Sequence, residues 1–196
     1  MAALTPAALL VWGFYTNDLT ANPGDYITDQ TGTWTLGTLF ASLTITPLRR
    51  LTGWNELIKV RRLIGLTAFW YACLHLSTYL VFDQSLSADE IAKDIAKHPW
   101  VLVGFTAFLC LLPLAITSTT GWVRRLGGKR WQQLHRLTYV AACAAVLHYF
   151  WLVKKDIVAP LTYGLILLVL LGSRVWLRRP ATRVVRAPRT DRVTQS

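Results

Sequence analysis

The chain has 196 residues, 53% of them hydrophobic and only 16% charged, with a mean hydropathy of +0.36; this balance argues against an ordinary soluble domain and points to an integral membrane protein. The formal net charge is +11, from 21 Lys and Arg against 10 Asp and Glu. The basic residues fall in short clusters between apolar runs rather than along one helical face, which fits membrane-flanking loops and not a nucleic-acid surface.

A helix that crosses a bilayer needs about 20 mostly apolar residues. Six segments qualify in chain order: 2–16, 34–48, 62–82, 100–119, 133–153 and 160–177. The first two are short, and Thr5–Pro6 moves the start of the first helix later. No signal peptide stands out, because the run from Leu4 to Tyr15 has no basic residue before it and no small-residue cleavage site after it. Cys73, Cys110 and Cys143 lie within apolar runs, no CxxCH occurs, and all three read as small packing residues.

Lys and Arg favour the cytoplasmic ends of spans. "RRLTGWNELIKVRR" separates segments two and three, "RRLGGKR" separates four and five, and "RVWLRRPATRVVRAPRTDR" forms the tail. The alternate loops are acidic or near neutral, with only "KKD" dissenting. The expected architecture is therefore an all-α integral membrane protein, a six-helix transmembrane bundle over 1–178 with both termini cytoplasmic. Loop 83–99 is expected to form a short outer helix capped by Ser87 and ending at Pro99. Residues 179–196 read as a basic cytoplasmic tail, disordered and close to anionic lipid.

Ionisable side chains at membrane depth are costly and mark functional positions. His98 reads as a solvated loop residue, whereas His75, His135 and His148 lie in or at the edge of spans. His75 follows the inner boundary at Arg62 by thirteen residues, and His148 follows His135 by the same number. At 1.5 Å per residue, both stand roughly 20 Å above the cytoplasmic end, at one level. Two neutral imidazoles at one depth on different helices suit bis-histidine ligation of a b-type haem. Zinc would want further Cys, His or carboxylate ligands, and no third one is evident at this level. The competing reading is that each histidine serves only an interhelical hydrogen bond.

His135 lies too far along its own segment to share that iron and marks a second, inner level. A second haem, a flavin or a quinone head group could sit there, with His135, Arg61, Arg62 and Trp131 as contacts. Arg suits propionates or a flavin phosphate, although Arg61, Arg62, Arg124 and Arg125 also serve simply as helix-end anchors. On the outer side, Asp83, Asp89, Glu90 and Asp94 could dock a partner or form an ordinary solvated surface.

Three stretches, "VRRLIGLTAFWYACLHLSTYL", "LAITSTTGWVRRLGGKRWQQLHRLTYVAACAAVLHYFWLVKK" and "LFASLTITPLRR", resemble the haem-binding membrane subunits of the bacterial periplasmic methionine-sulfoxide reductase system. The resemblance covers residues 34–178. It extends to the ferric-reductase-like transmembrane domain shared with NADPH oxidases, whose members bind two haems through four histidines on two helices. Three positions match here, His75, His135 and His148, and the fourth falls near Arg62. The resemblance implies haem b, one or two per chain, together with FMN, in the bacterial inner membrane. It implies electrons taken from the quinone pool or a cytosolic flavin reductase and passed to a periplasmic molybdopterin subunit, MsrP, which itself reduces oxidised methionine in envelope proteins.

Three other functions compete. A proton-relay transporter would place carboxylates within its spans, and none of the six has a central Asp or Glu. An assembly subunit with structural histidines would be colourless. A stand-alone ferric or cupric reductase would carry a soluble flavin and nicotinamide domain, for which this chain has no room.

Overall fold

Within a bilayer a backbone finds no water to bond, so apolar segments close their N–H and C=O groups along a helix. The computed structural model describes residues 5–16, 18–153 and 156–177, and all regular structure among them is helical. The helices are α1 (Thr5–Tyr15), α2 (Pro23–Thr52), α3 (Leu57–Thr78), α4 (Ala88–Lys97), α5 (Pro99–Ile116), α6 (Thr120–Leu126), α7 (Gly128–Leu134), α8 (Leu137–Leu152) and α9 (Val158–Trp176). The basic tail 179–196 and the Lys154–Lys155 pair lie outside the described residues.

Three helices are long and apolar enough to cross a membrane: α3 with its extension to Asp83, α5 and α9. α1 and α8 are shorter, at 11 and 16 residues. α2 has 30 residues, and the expected segment 34–48 is only its apolar stretch. Its N-terminal part escaped notice because Asp25, Asp29 and several threonines dilute the hydropathy. Pro23 starts the helix where a missing N–H costs nothing. Thr31, Thr35, Thr38 and Thr44 each return their hydroxyl to the carbonyl one turn back, which satisfies them without water.

α3 runs on into a wide π turn, Tyr79–Asp83, where the Gln84 N–H reaches back to the Tyr79 carbonyl at 3.2 Å. Ser85 and Leu86 then reverse the chain at positive φ, 48° and 57°, and Ser87 Oγ accepts the Glu90 N–H to begin α4. Segment 133–153 also departs from expectation, because it is not one continuous helix. The Arg136 N–H bonds the Gln133 carbonyl at 3.1 Å and the Tyr139 N–H bonds the Arg136 carbonyl at 3.0 Å. This three-residue spacing tightens the chain at His135 and separates α7 from α8.

The bundle centres on two closely packed pairs, α2 with α3 and α5 with α8, joined by α9. Leu36, Leu39, Phe40 and Leu43 of α2 meet Ala68 and Ala72 of α3, Ala141 and Ala142 of α8, and Leu167 and Leu170 of α9. The alanines let the backbones approach, which is how membrane helices gain contact where lipid is as apolar as their own side chains. Leu165, Leu168 and Val169 of α9 turn outward and are more than 60% exposed, a face suited to lipid rather than water. The helix ends carry opposite charges: Arg49, Arg61 and Arg174 at one end, Asp25, Asp83 and Asp94 at the other.

Candidate functional site

His75 of α3 and His148 of α8 face each other with ring centres 6.3 Å apart and planes at 76°. Each imidazole is anchored to the backbone of the other helix in its pair. His75 Nδ1 lies 2.9 Å from the Thr28 carbonyl of α2, and His148 Nδ1 lies 2.7 Å from the Trp100 carbonyl of α5. A carbonyl can only accept, so Nδ1 carries the proton in both rings and each Nε2 keeps its lone pair. That is the tautomer a metal ligand needs, with the hydrogen-bonded carbonyl raising ligand basicity.

The separation can be tested against a six-coordinate iron. Two metal–nitrogen bonds of about 2 Å, plus about 1 Å from each nitrogen to its ring centre, come to about 6 Å, in agreement with the 6.3 Å observed. The two rings open onto one cavity of about 770 Å³, large enough for a sizeable cofactor. Its walls are flat and apolar at Leu36, Leu39, Phe105, Phe108 and Leu111. Two imidazoles against flat apolar walls suit a flat macrocycle that the pair would hold, and among the described residues no group of three or more His, Cys, Asp or Glu forms a metal cluster. The residues present fit haem b.

Towards the acidic end the cavity reaches Asp29, Asp83, Gln84, Asp94 and His98. His98, expected as a solvated loop residue, is partly exposed between α4 and α5 and is also held by partners. Its Nδ1 pairs with Asp94 Oδ1 at 2.7 Å, and its ring lies over Trp100, centres 4.5 Å apart. Tyr79 donates its hydroxyl to the other oxygen of Asp94, also at 2.7 Å. Burial works against the Asp94 carboxylate, but these two hydrogen bonds and the nearby positive groups outweigh it and hold its carboxyl below the usual range. Asp89 and Glu90 are exposed on α4, and Glu90 pairs with Lys93.

At the basic end His135 sits where α7 gives way to α8. Its ring stacks on Trp131, centres 3.8 Å apart, and its Nδ1 lies 3.1 Å from the Trp131 carbonyl. Its Nε2 is buried, with the Leu114 carbonyl of α5 beside it. Trp131 is itself fixed by Nε1–H donation to the Thr117 carbonyl at 2.8 Å. Arg62 points away and is exposed, whereas its neighbour Arg61 is half-buried near Arg174, Tyr139 and Arg49. Arg124 and Arg125 are exposed, the latter over the Trp122 ring. Thus His75 and His148 come together, His135 and Trp131 form a separate pair, and Arg62 joins neither.

Sequence reasoning missed the anchoring carbonyls of Thr28 and Trp100, because any residue supplies a carbonyl. It also missed Arg174, which donates to the Tyr139 hydroxyl and to the Leu43 carbonyl. A guanidinium within the apolar run "LILLVLLGSRVW" was the signal that could have found it.

Comparison with known proteins bears on this arrangement. Residues 31–146 match the family described as "Ferric reductase like transmembrane component". Proteins named "Protein-methionine-sulfoxide reductase heme-binding subunit MsrQ" are similar over most of the chain. That of Herminiimonas arsenicoxydans is 53% identical over 178 residues, covering 90% of this chain and 82% of its own. That of Azospira oryzae is 50% identical over 176 residues, covering 89% and 76%, and that of Ralstonia nicotianae is 48% identical over 178 residues, covering 90% and 82%. No solved structure matches.

Proposed function

The chain belongs to the ferric-reductase-like transmembrane family and, within it, to the haem-binding MsrQ subunits of protein-methionine-sulfoxide reductase; from that premise we propose that it is the membrane electron carrier of such a system, with one b-type haem held between His75 and His148. The observation that carries this reading is the 6.3 Å separation of the two rings, each with Nδ1 bound to a carbonyl. When bound, haem b would supply a one-electron couple, and His75 and His148 are the residues that would hold it.

The chain's own residues do the rest. The carbonyls of Thr28 and Trp100 hold the two protons on Nδ1, so that both Nε2 atoms stay free to ligate. Leu36, Leu39, Phe108 and Leu111 exclude water from the slot. His135 and Trp131 form a second position nearer the basic end, suited to an inner haem, to FMN or to a quinone head group, with Arg61 the inward-facing arginine beside it and Arg62 at the surface.

The reading places the bundle in the bacterial inner membrane as six spans, with both termini and the Arg-rich loops in the cytoplasm. Electrons enter from the quinone pool or a cytosolic flavin reductase. They leave at the acidic end, where Asp83, Asp89, Glu90 and Asp94 offer a docking rim to the periplasmic molybdopterin subunit MsrP. Sulfoxide reduction takes place on that partner.

The test is a reduced-minus-oxidised absorption spectrum of the purified protein, with haem and flavin quantified per chain. A b-type spectrum that His75→Ala and His148→Ala each weaken or remove supports the assignment. A colourless but folded preparation rejects it, and equal haem in the wild type and both variants rejects these ligands.

A further inference from the structure

The two ligand helices repeat one another in a way that only the fold reveals. Ala68, Ala72 and His75 occur on α3 at the same spacing as Ala141, Ala145 and His148 on α8. That spacing puts all three on one helical face. Each face packs on a partner helix, α2 or α5, that offers a glycine one turn after the carbonyl receiving the imidazole proton: Thr28 then Gly32 on α2, Trp100 then Gly104 on α5. The hydrogen-bonded residues are 47 and 48 positions apart in the two halves.

The glycines face the rings themselves. A Cβ on Gly32 would lie 3.0 Å from Cε1 and 3.1 Å from Nδ1 of His75. On Gly104 it would lie 2.9 Å from Nδ1, 3.0 Å from Cε1 and 3.3 Å from Cγ of His148. Neither approach leaves room for a methyl group at normal contact distance. Relief by ring movement is restricted, because turning either imidazole breaks its Nδ1–carbonyl bond and redirects Nε2. Gly37, five residues further along α2, meets nothing within 4 Å and so provides a control position on the same helix.

We propose that Gly32 and Gly104 are positioning residues that, with the carbonyls of Thr28 and Trp100, form two matched seats fixing the rotation of His75 and His148 and hence the crossed ring planes presented to one iron. The inference rests on the reading of these histidines as haem ligands. The seats set two properties of the iron. The crossing angle of the rings determines the anisotropy of the ferric low-spin state, and the Nδ1–H bonds determine how strongly each imidazole donates to the metal.

The experiment is electron paramagnetic resonance of the oxidised, haem-loaded protein, with a potentiometric titration, on the wild type and on Gly32→Ala, Gly104→Ala and Gly37→Ala. The wild type is expected to give the strongly anisotropic low-spin signal of crossed imidazoles, and this measurement stands whether or not any variant folds. Gly32→Ala and Gly104→Ala are expected to change the g-values or lose haem while still folded, and to raise the midpoint potential where haem remains. Gly37→Ala is expected to match the wild type.

The rhombic signal of parallel rings in the wild type would overturn the proposal, as would unchanged g-values and potential in both seat variants. Haem content of His75→Ala and His148→Ala separates the two claims. Haem retained there removes the ligand reading. Haem lost there, with the glycine variants indistinguishable from wild type, removes only the seats.

Discussion

Tyr139 on α8 accepts a hydrogen bond from the Arg174 guanidinium on α9, and the same guanidinium reaches the Leu43 carbonyl of α2 at 2.6 Å. One side chain therefore ties three helices at the basic end, in surroundings where an unmet charge-assisted bond cannot be replaced by water. Arg174→Ala is expected to destabilise the bundle by about 3 kcal/mol, because it strands both partners. Tyr139→Phe, which removes one bond, is expected to cost about 1.5–3 kcal/mol. Thermal unfolding in detergent measures both, and the double variant should cost less than the sum because the two residues share one contact.

The histidines separate into two levels, so their variants should separate too. His75→Ala and His148→Ala are each expected to strip or weaken the same haem band, whereas His135→Ala should leave that band in place and act on whatever the inner level binds. Haem and flavin content per chain, measured in parallel on the three proteins, checks this. A His135→Ala protein that lost the same band as the other two would show that the levels are not independent.

Asp94 provides a pH dependence whose sign follows from its environment. Its folded carboxyl is held below its ordinary value by hydrogen bonds from Tyr79 and His98. A group depressed in the folded state stabilises it above the unfolded carboxyl pKa of about 4, and that stabilisation is lost as pH falls through the lower folded value. Asp94→Asn is therefore expected to flatten the acid limb of a stability–pH curve while leaving the neutral region nearly parallel. An acid limb identical to wild type would remove the carboxylate from the account.

Trp131 has two tasks that a conservative change divides. Trp131→Phe keeps a ring for His135 to stack on but loses the Nε1–H bond to the Thr117 carbonyl. The expected cost is about 1 kcal/mol, with the turn between α7 and α8 exchanging amide hydrogen faster than in wild type. Hydrogen exchange across 128–140 is the direct readout.

Much of the bundle was legible because hydropathy acts over a whole span. The segments centred on α3, α5, α8 and α9 are apolar enough to be recognised from composition, and Ser87 announced α4 through local capping chemistry. The long start of α2 was not legible, because its threonines look polar in sequence yet satisfy their hydroxyls on their own helix. The break at His135 was equally hidden, since it rests on a few backbone bonds that change from four-residue to three-residue spacing.

Composition and residue spacing along the chain are enough to show that it is helical and suited to a membrane, that its ends differ in charge, and that His75 and His148 stand at one level. These follow from hydropathy and from the fixed rise of a helix, both local properties. Packing between the helices is what brings the two rings opposite one another, makes Nδ1 the bonded nitrogen in each, turns Arg61 rather than Arg62 inward, and sets glycines against the imidazoles. Rotation of a helix about its axis, and the backbone atoms that a neighbouring helix then presents, depend on packing between segments far apart in the chain, which residue spacing along one helix cannot specify.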